Sequence, residues 1–144
     1  MRTVLVFGVF DGIHEGHRAL FQQARTHGDR LVAVTTHDHV VRQLKGRPPV
    51  RPAEVRRAEL AAEPDVDEAV LGDPEVGAWT VLDHQRPDVI ALGYDQQAVR
   101  VDLERYLAEH DLADTVEIRV MQPFEPHRYK SSLLNPRSGE PDDA

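Results

Sequence analysis

Five short apolar runs, separated by stretches with helical spacing, limit the fold of this chain more than any other feature. They are Thr3–Phe7 (TVLVF), Leu31–Thr35 (LVAVT), Val66–Leu71 (VDEAVL), Asp88–Leu92 (DVIAL) and Val116–Met121 (VEIRVM). The first two are continuous and rich in β-branched residues, as in strands covered on both faces of a parallel sheet. Between the runs, His17–His27 places Ala19, Leu20 and Ala24 at helical intervals and stops at Gly28. Asp38 is positioned to cap a helix from His39 to about Lys45. The segment 46–52 (GRPPVRP) reads as a loop because its prolines forbid regular structure. Ala53–Ala62, Val76–Gln85 (before Pro87) and Val101–His110 complete the helical set. This alternation predicts an α/β chain: a single Rossmann-like domain with a five-stranded parallel sheet and helices on both faces. Ligands of such sheets collect beyond the carboxyl ends of the strands, where strand order reverses. Gly8–Gly16, Thr36–His39 and Gly93–Gln96 all fall at such ends.

The chain has 144 residues, 40% of them apolar, enough for one core. Residues 1–135 are read as one domain. Residues 136–144 (PRSGEPDDA) offer little to bury and are expected to form a disordered acidic tail. With no cysteine, disulfides and thiolate zinc sites are excluded. No apolar run nears the roughly 18 residues of a membrane span, and the start carries no leader pattern, so a cytoplasmic location is expected. A net charge of −8 argues against general nucleic-acid binding. Against that background Arg42, Lys45, Arg47, Arg51, Arg56 and Arg57 crowd into positions 42–57, which points to a local anionic ligand.

The chemistry is concentrated in residues 7–17, FGVFDGIHEGH. Gly8 and Gly12 let the backbone turn and approach a ligand. The N–H groups that open the next helix favour phosphate. His14 and His17 can each donate to phosphate oxygens, and can do so as cations where the phosphate raises their pKa. A metal-binding reading of HxxH asks for further ligands, and none stands at a suitable spacing.

This string resembles the signature of the cytidylyltransferase-like family of nucleotidyltransferases, and the resemblance runs from Thr3 to about Leu134. It implies transfer of AMP or CMP from an NTP to a phosphorylated acceptor, with release of pyrophosphate. FDG, LKGRPP and LGYDQ look most like archaeal-type FAD synthases, which adenylylate FMN. Glycerol-3-phosphate cytidylyltransferase is the alternative, and a nucleotide-binding regulator without turnover is an alternative of another class. The resemblance assigns catalysis to His14, His17 and Lys45. It assigns nucleotide binding to Gly8, Val9, Phe10, Asp11 and Gly16, to Arg56, to Gly93, Tyr94, Asp95 and Gln96, and to Arg128, Ser131 and Ser132. Arg56 and the Ser131–Ser132 turn are expected to hold the β- and γ-phosphates, and Gly93–Gln96 to seat the base. The resemblance implies Mg²⁺ accompanying the NTP, no dedicated protein metal site, and a homodimer. Val9 departs from the commoner Thr, and Pro136 shortens the final helix. Phe10, Phe124 and Trp79 are the large rings available to line a flavin slot; of these only Phe10 is placed near the site, and Trp79 is read as core or packing surface, while His37 and His39 are read as surface residues.

Overall fold

The structure is a computed structural model and describes residues 1–123. Strands β1 (Thr3–Gly8), β2 (Arg30–Thr35), β3 (Glu68–Leu71), β4 (Val89–Leu92) and β5 (Glu117–Val120) form one sheet. Helices α1 (Glu15–Arg25), α2 (Asp38–Lys45), α3 (Ala53–Ala61), α4 (Val81–Gln85) and α5 (Gln97–Glu109) alternate with them. The order is β3-β2-β1-β4-β5, and every pairing is parallel. Alternation along β1 divides the core. Val4 and Val6 face Phe21 and Ala24 of α1 and Leu60 of α3. Leu5 and Phe7 face Leu82 of α4 and Leu103 and Leu107 of α5. Helices therefore cover both faces, as the strand–helix alternation requires.

From β1 the chain moves outward through β2 and β3, then returns across the sheet to place β4 on the other side of β1. Strand order thus reverses between β1 and β4, and the crevice of a doubly wound sheet opens at their carboxyl ends. Gln96 spans that point. Its Nε2 donates to the Phe7 carbonyl at 2.9 Å, and its Oε1 accepts from the Gly93 N–H at 2.7 Å.

Several boundaries differ from the sequence reading, each for a local reason. Helix α1 opens at Glu15 because His14, rather than a residue nearer His17, is its N-cap. His37, and not Asp38, caps α2; its Nδ1 accepts from the His39 N–H at 3.0 Å. Helix α4 does not begin at Val76, because Gly77 (φ 79°) and Trp79 (φ 54°) take left-handed conformations that no α-helix contains. Helix α5 starts a turn before Val101, at Gln97. Val66 is spent in a turn, and the Asp67 carboxylate accepts from the Leu31 N–H at 2.8 Å, so β3 begins only at Glu68.

Candidate active site

The turn after β1 is built on unusual dihedrals. Phe10 has φ 53° although it is not glycine, and its ring is buried. That ring stands edge-on to His17, with centroids 5.3 Å apart, and packs against Phe21. Phe10 therefore backs the site from inside the core and is not free to line a ligand slot. Gly12 has φ 108°, which strains any residue with a side chain, and a Cβ there would lie 3.1 Å from Arg51 Nη1. The Asp11 carboxylate accepts from the Val50 and Arg51 N–H groups at 2.7 and 2.8 Å, fastening the turn to the proline-rich segment.

The two histidines are fixed by the helix they introduce. His14 Nδ1 accepts from the Gly16 N–H at 3.1 Å, and His17 Nδ1 accepts from the His14 N–H at 3.1 Å. This is a reciprocal capping box in which imidazoles replace the usual hydroxyl and carboxylate. The rings stack with centroids 3.8 Å apart. An imidazole that accepts at Nδ1 carries its proton on Nε2, so each ring presents an Nε2–H donor while the box is closed. Gly16 is required by space, since a Cβ there would come 2.9 Å from His14 Cε1. His14 is exposed and His17 buried, so the pair presents an accessible donor backed by a rigid one.

Arg56 does something other than expected. Its side chain is completely buried. Nε donates to the Arg51 carbonyl at 2.9 Å, and Nη1 donates to the Val9 carbonyl, Thr35 Oγ1 and the Thr36 carbonyl at 3.0, 2.6 and 2.8 Å. Nη2 meets Asp38 Oδ1 at 2.5 Å. With these acceptors arrayed around it, the guanidinium is a brace joining β1, β2, α2 and α3 rather than a holder of phosphates. Gln96 is likewise corrected: its amide is committed to Phe7 and Gly93 and does not point to a base. Of the same loop, Tyr94 is 47% exposed and Asp95 is exposed, so these two face outward beyond β4. Val9 is buried, and its carbonyl accepts from Thr35 Oγ1 at 2.8 Å. A threonine hydroxyl from β2 thus braces the very position where the family more often has its own.

Lys45 occupies the last turn of α2, half-buried, before Gly46 closes the helix with φ 73°. Among the described residues its ammonium takes part in no hydrogen bond or ion pair. Phe124, Arg128, Ser131 and Ser132 lie outside the described residues.

A cavity of about 290 Å³ opens beside this turn, on the face that carries α2 and α5. Phe7 and Gly8 form its floor, His37, Val40 and Leu44 one wall, and Trp79 and Val99 the other. Its lining is mostly apolar, and its size lies near the low end of the roughly 300–1,000 Å³ of small-molecule sites. Sequence reasoning had read His37 as a surface residue and Trp79 as core or packing surface, although it counted Trp79 among the rings that could line a flavin slot. Only the position of His37 directly after β2 signalled its placement, and nothing local signalled that of Trp79. Arg51 was also missed as a loop brace; its guanidinium lies over Gly12 and 3.5 Å from Glu59.

Against known proteins, the cytidylyltransferase-like family matches residues 5–134. The chain belongs to that family. It is 40% identical to a protein named FAD synthase from Pyrococcus horikoshii, over 95% of this chain and 92% of the relative. A second FAD synthase, from Thermococcus kodakarensis, is 39% identical over 91% of this chain and 87% of its own length. A solved structure titled as the lipopolysaccharide core biosynthesis protein of Thermoplasma volcanium superposes with TM-score 0.77 at 29% identity, covering 87% of this chain and 99% of that one. Pantoate-beta-alanine ligase from Francisella tularensis, at 10% identity and TM-score 0.58, shares the fold over 86% of this chain and 60% of its own. The chain is accordingly a nucleotidyltransferase with a Rossmann-like fold. No helix among the described residues is long and apolar enough to cross a membrane.

Proposed function

We propose that this nucleotidyltransferase adenylylates FMN to give FAD and pyrophosphate. The observation that carries the reading is the 40% identity to a protein named FAD synthase, spread over nearly the whole chain. A mostly apolar cavity that reaches Gly8, where β1 enters the phosphate-binding turn, supports it. In the reaction, a phosphate oxygen of FMN attacks the α-phosphorus of ATP in line. The bond from that phosphorus to the bridging oxygen breaks, and pyrophosphate leaves with the electron pair. Such a transfer asks the protein for positioning and charge stabilisation rather than a covalent intermediate.

His14 and His17 meet the phosphate oxygens through Nε2–H as charge develops there, and the first N–H groups of α1 add to the field. Lys45 bridges the acceptor phosphate and the α-phosphate. Tyr94 and Asp95 border the nucleotide's base. The phosphate contacts expected of Arg56 fall instead to Arg128, Ser131 and Ser132. Mg²⁺ enters as part of the nucleotide substrate. In this reading phosphate oxygens and water supply most of its ligands. A homodimer is proposed on the family resemblance alone.

The test is to incubate the protein with Mg²⁺ and either ATP or CTP, together with FMN or glycerol 3-phosphate, and to resolve the products. FAD from ATP and FMN supports the reading. CDP-glycerol without FAD would replace the acceptor and leave the reaction class intact. Lys45 has its own test. Lys45→Ala should lower kcat by at least about 100-fold with both substrates saturating, and Lys45→Arg should restore only part of it, because a planar guanidinium does not substitute for a compact ammonium between two phosphates. A change confined to the KM for the acceptor would remove Lys45 from the bridging position.

A further inference from the structure

We infer that Trp79 is the surface on which the acceptor's planar ring system stacks, and that this pinned indole makes the enzyme select a flavin over an acceptor without rings; the inference rests on the proposed FMN reaction. Trp79 is the only tryptophan of the chain. It holds φ 54°, a conformation that is strained for a bulky residue and persists only where the surroundings enforce it. The surroundings do enforce it. Nε1–H donates to Asp102 Oδ2 at 2.7 Å, and the ring meets Phe7 edge-on at 5.2 Å. Asp102 is itself held from the other side by Arg105 Nη2 at 2.8 Å. That guanidinium keeps the Asp102 carboxyl below its ordinary range, so the acceptor of the indole N–H is a carboxylate. The indole is thus oriented before any ligand arrives, which lowers the entropy lost on binding.

A tryptophan serving only as core would be covered. Trp79 is only partly buried, and it lines the same cavity that touches Gly8 and Thr36 at the ends of β1 and β2. Two exposed aliphatic side chains, Leu44 at 67% and Val76 at 55%, also line that cavity. A flat apolar ligand entering here would cover all three. Its phosphate end would then lie toward Gly8 and the histidine turn. A polyol phosphate brings almost no apolar surface to such a slot and gains little from it.

The experiment uses the whole chain with FMN, ATP and Mg²⁺, and compares wild type with Trp79→Phe and Trp79→Leu. Flavin emission is strongly quenched by an indole in contact with the ring. Bound FMN should therefore be dark in wild type and brighten in Trp79→Phe, while Trp79→Phe keeps its KM for FMN within about threefold. Trp79→Leu should raise that KM by at least about tenfold, or about 1.4 kcal/mol, with kcat within about threefold. If Trp79→Leu does not fold, the emission of FMN bound to Trp79→Phe decides alone. FAD synthesis in wild type with emission and KM indifferent to both substitutions would overturn the stacking role and leave the acceptor reading standing. No FAD synthesis by wild type would overturn both.

Discussion

His14→Asn will lower kcat by at least about 100-fold in a protein whose melting temperature stays within about 3 °C of wild type. The substitution separates the two jobs of His14. As an N-cap, its Nδ1 accepts from the Gly16 N–H at 3.1 Å. Asparagine is among the best N-caps and presents its Oδ1 at a similar reach, so α1 should start where it does now. As a donor, the histidine carries Nε2–H further out, and asparagine has nothing at that position. The loss of one preorganised donor to developing charge is worth roughly 2.7–4 kcal/mol, or 10²–10³ in kcat. Because the contact strengthens in the transition state, kcat should fall far more than affinity for ATP. His14→Ala is a poorer probe, since it also removes a cap worth about 1 kcal/mol. His17→Ala is poorer still: that ring is buried against Phe10 and takes the other half of the capping box. Turnover within threefold of wild type in a folded His14→Asn protein would remove His14 from the reaction.

The features legible in the sequence were those set by local pattern. The inner strands β1, β2 and β4 were legible because residues covered on both faces must be apolar throughout, whereas the edge strands β3 and β5 carry Glu68, Glu117 and Arg119. The string 7–17 marked the turn after β1 and the start of α1, because its glycines and histidines serve one short stretch of backbone. Roles that depend on distant chain were not legible. Arg56 and Arg57 are neighbours of one residue type on one helix, yet Arg57 pairs at the surface with Glu54 while Arg56 is buried under the Val9 and Thr36 carbonyls. The register of α3 against β1 and β2 makes that difference, and sequence periodicity does not fix it. Gln96 looks like a ligand-binding amide in a loop; only the return of β4 beside β1 shows that its partner is the Phe7 carbonyl. Phe10 and Trp79 exchanged expected places for the same reason. A left-handed φ turns the Phe10 ring into the core, and another helps to set the Trp79 ring at a cavity wall.

Arg56→Ala will destabilise the protein by about 3–5 kcal/mol, the usual consequence of deleting one partner of a buried charged network. The site explains the size. Truncation takes the Arg56 donor from the Arg51 and Thr36 carbonyls, leaves the Val9 carbonyl with Thr35 Oγ1 alone, and takes the guanidinium from Asp38. Each buried carbonyl left unmet costs about 1–3 kcal/mol, and a void replaces a fully buried side chain. The acceptors come from four separate elements, so the loss is not local: the turn holding Val9 and Phe10 and the start of α2 come loose together. In thermal denaturation this should appear as a fall of about 10 °C or more. Arg56→Lys should recover less than half of it, since one ammonium cannot reach acceptors spread around a planar fork. If Arg56→Ala leaves too little folded protein to study, the Lys variant carries the test by itself. A melting temperature near that of wild type, together with weaker ATP binding, would show that Arg56 turns outward to the triphosphate after all. A large loss of stability, with ATP affinity per folded molecule little changed, is what a brace requires.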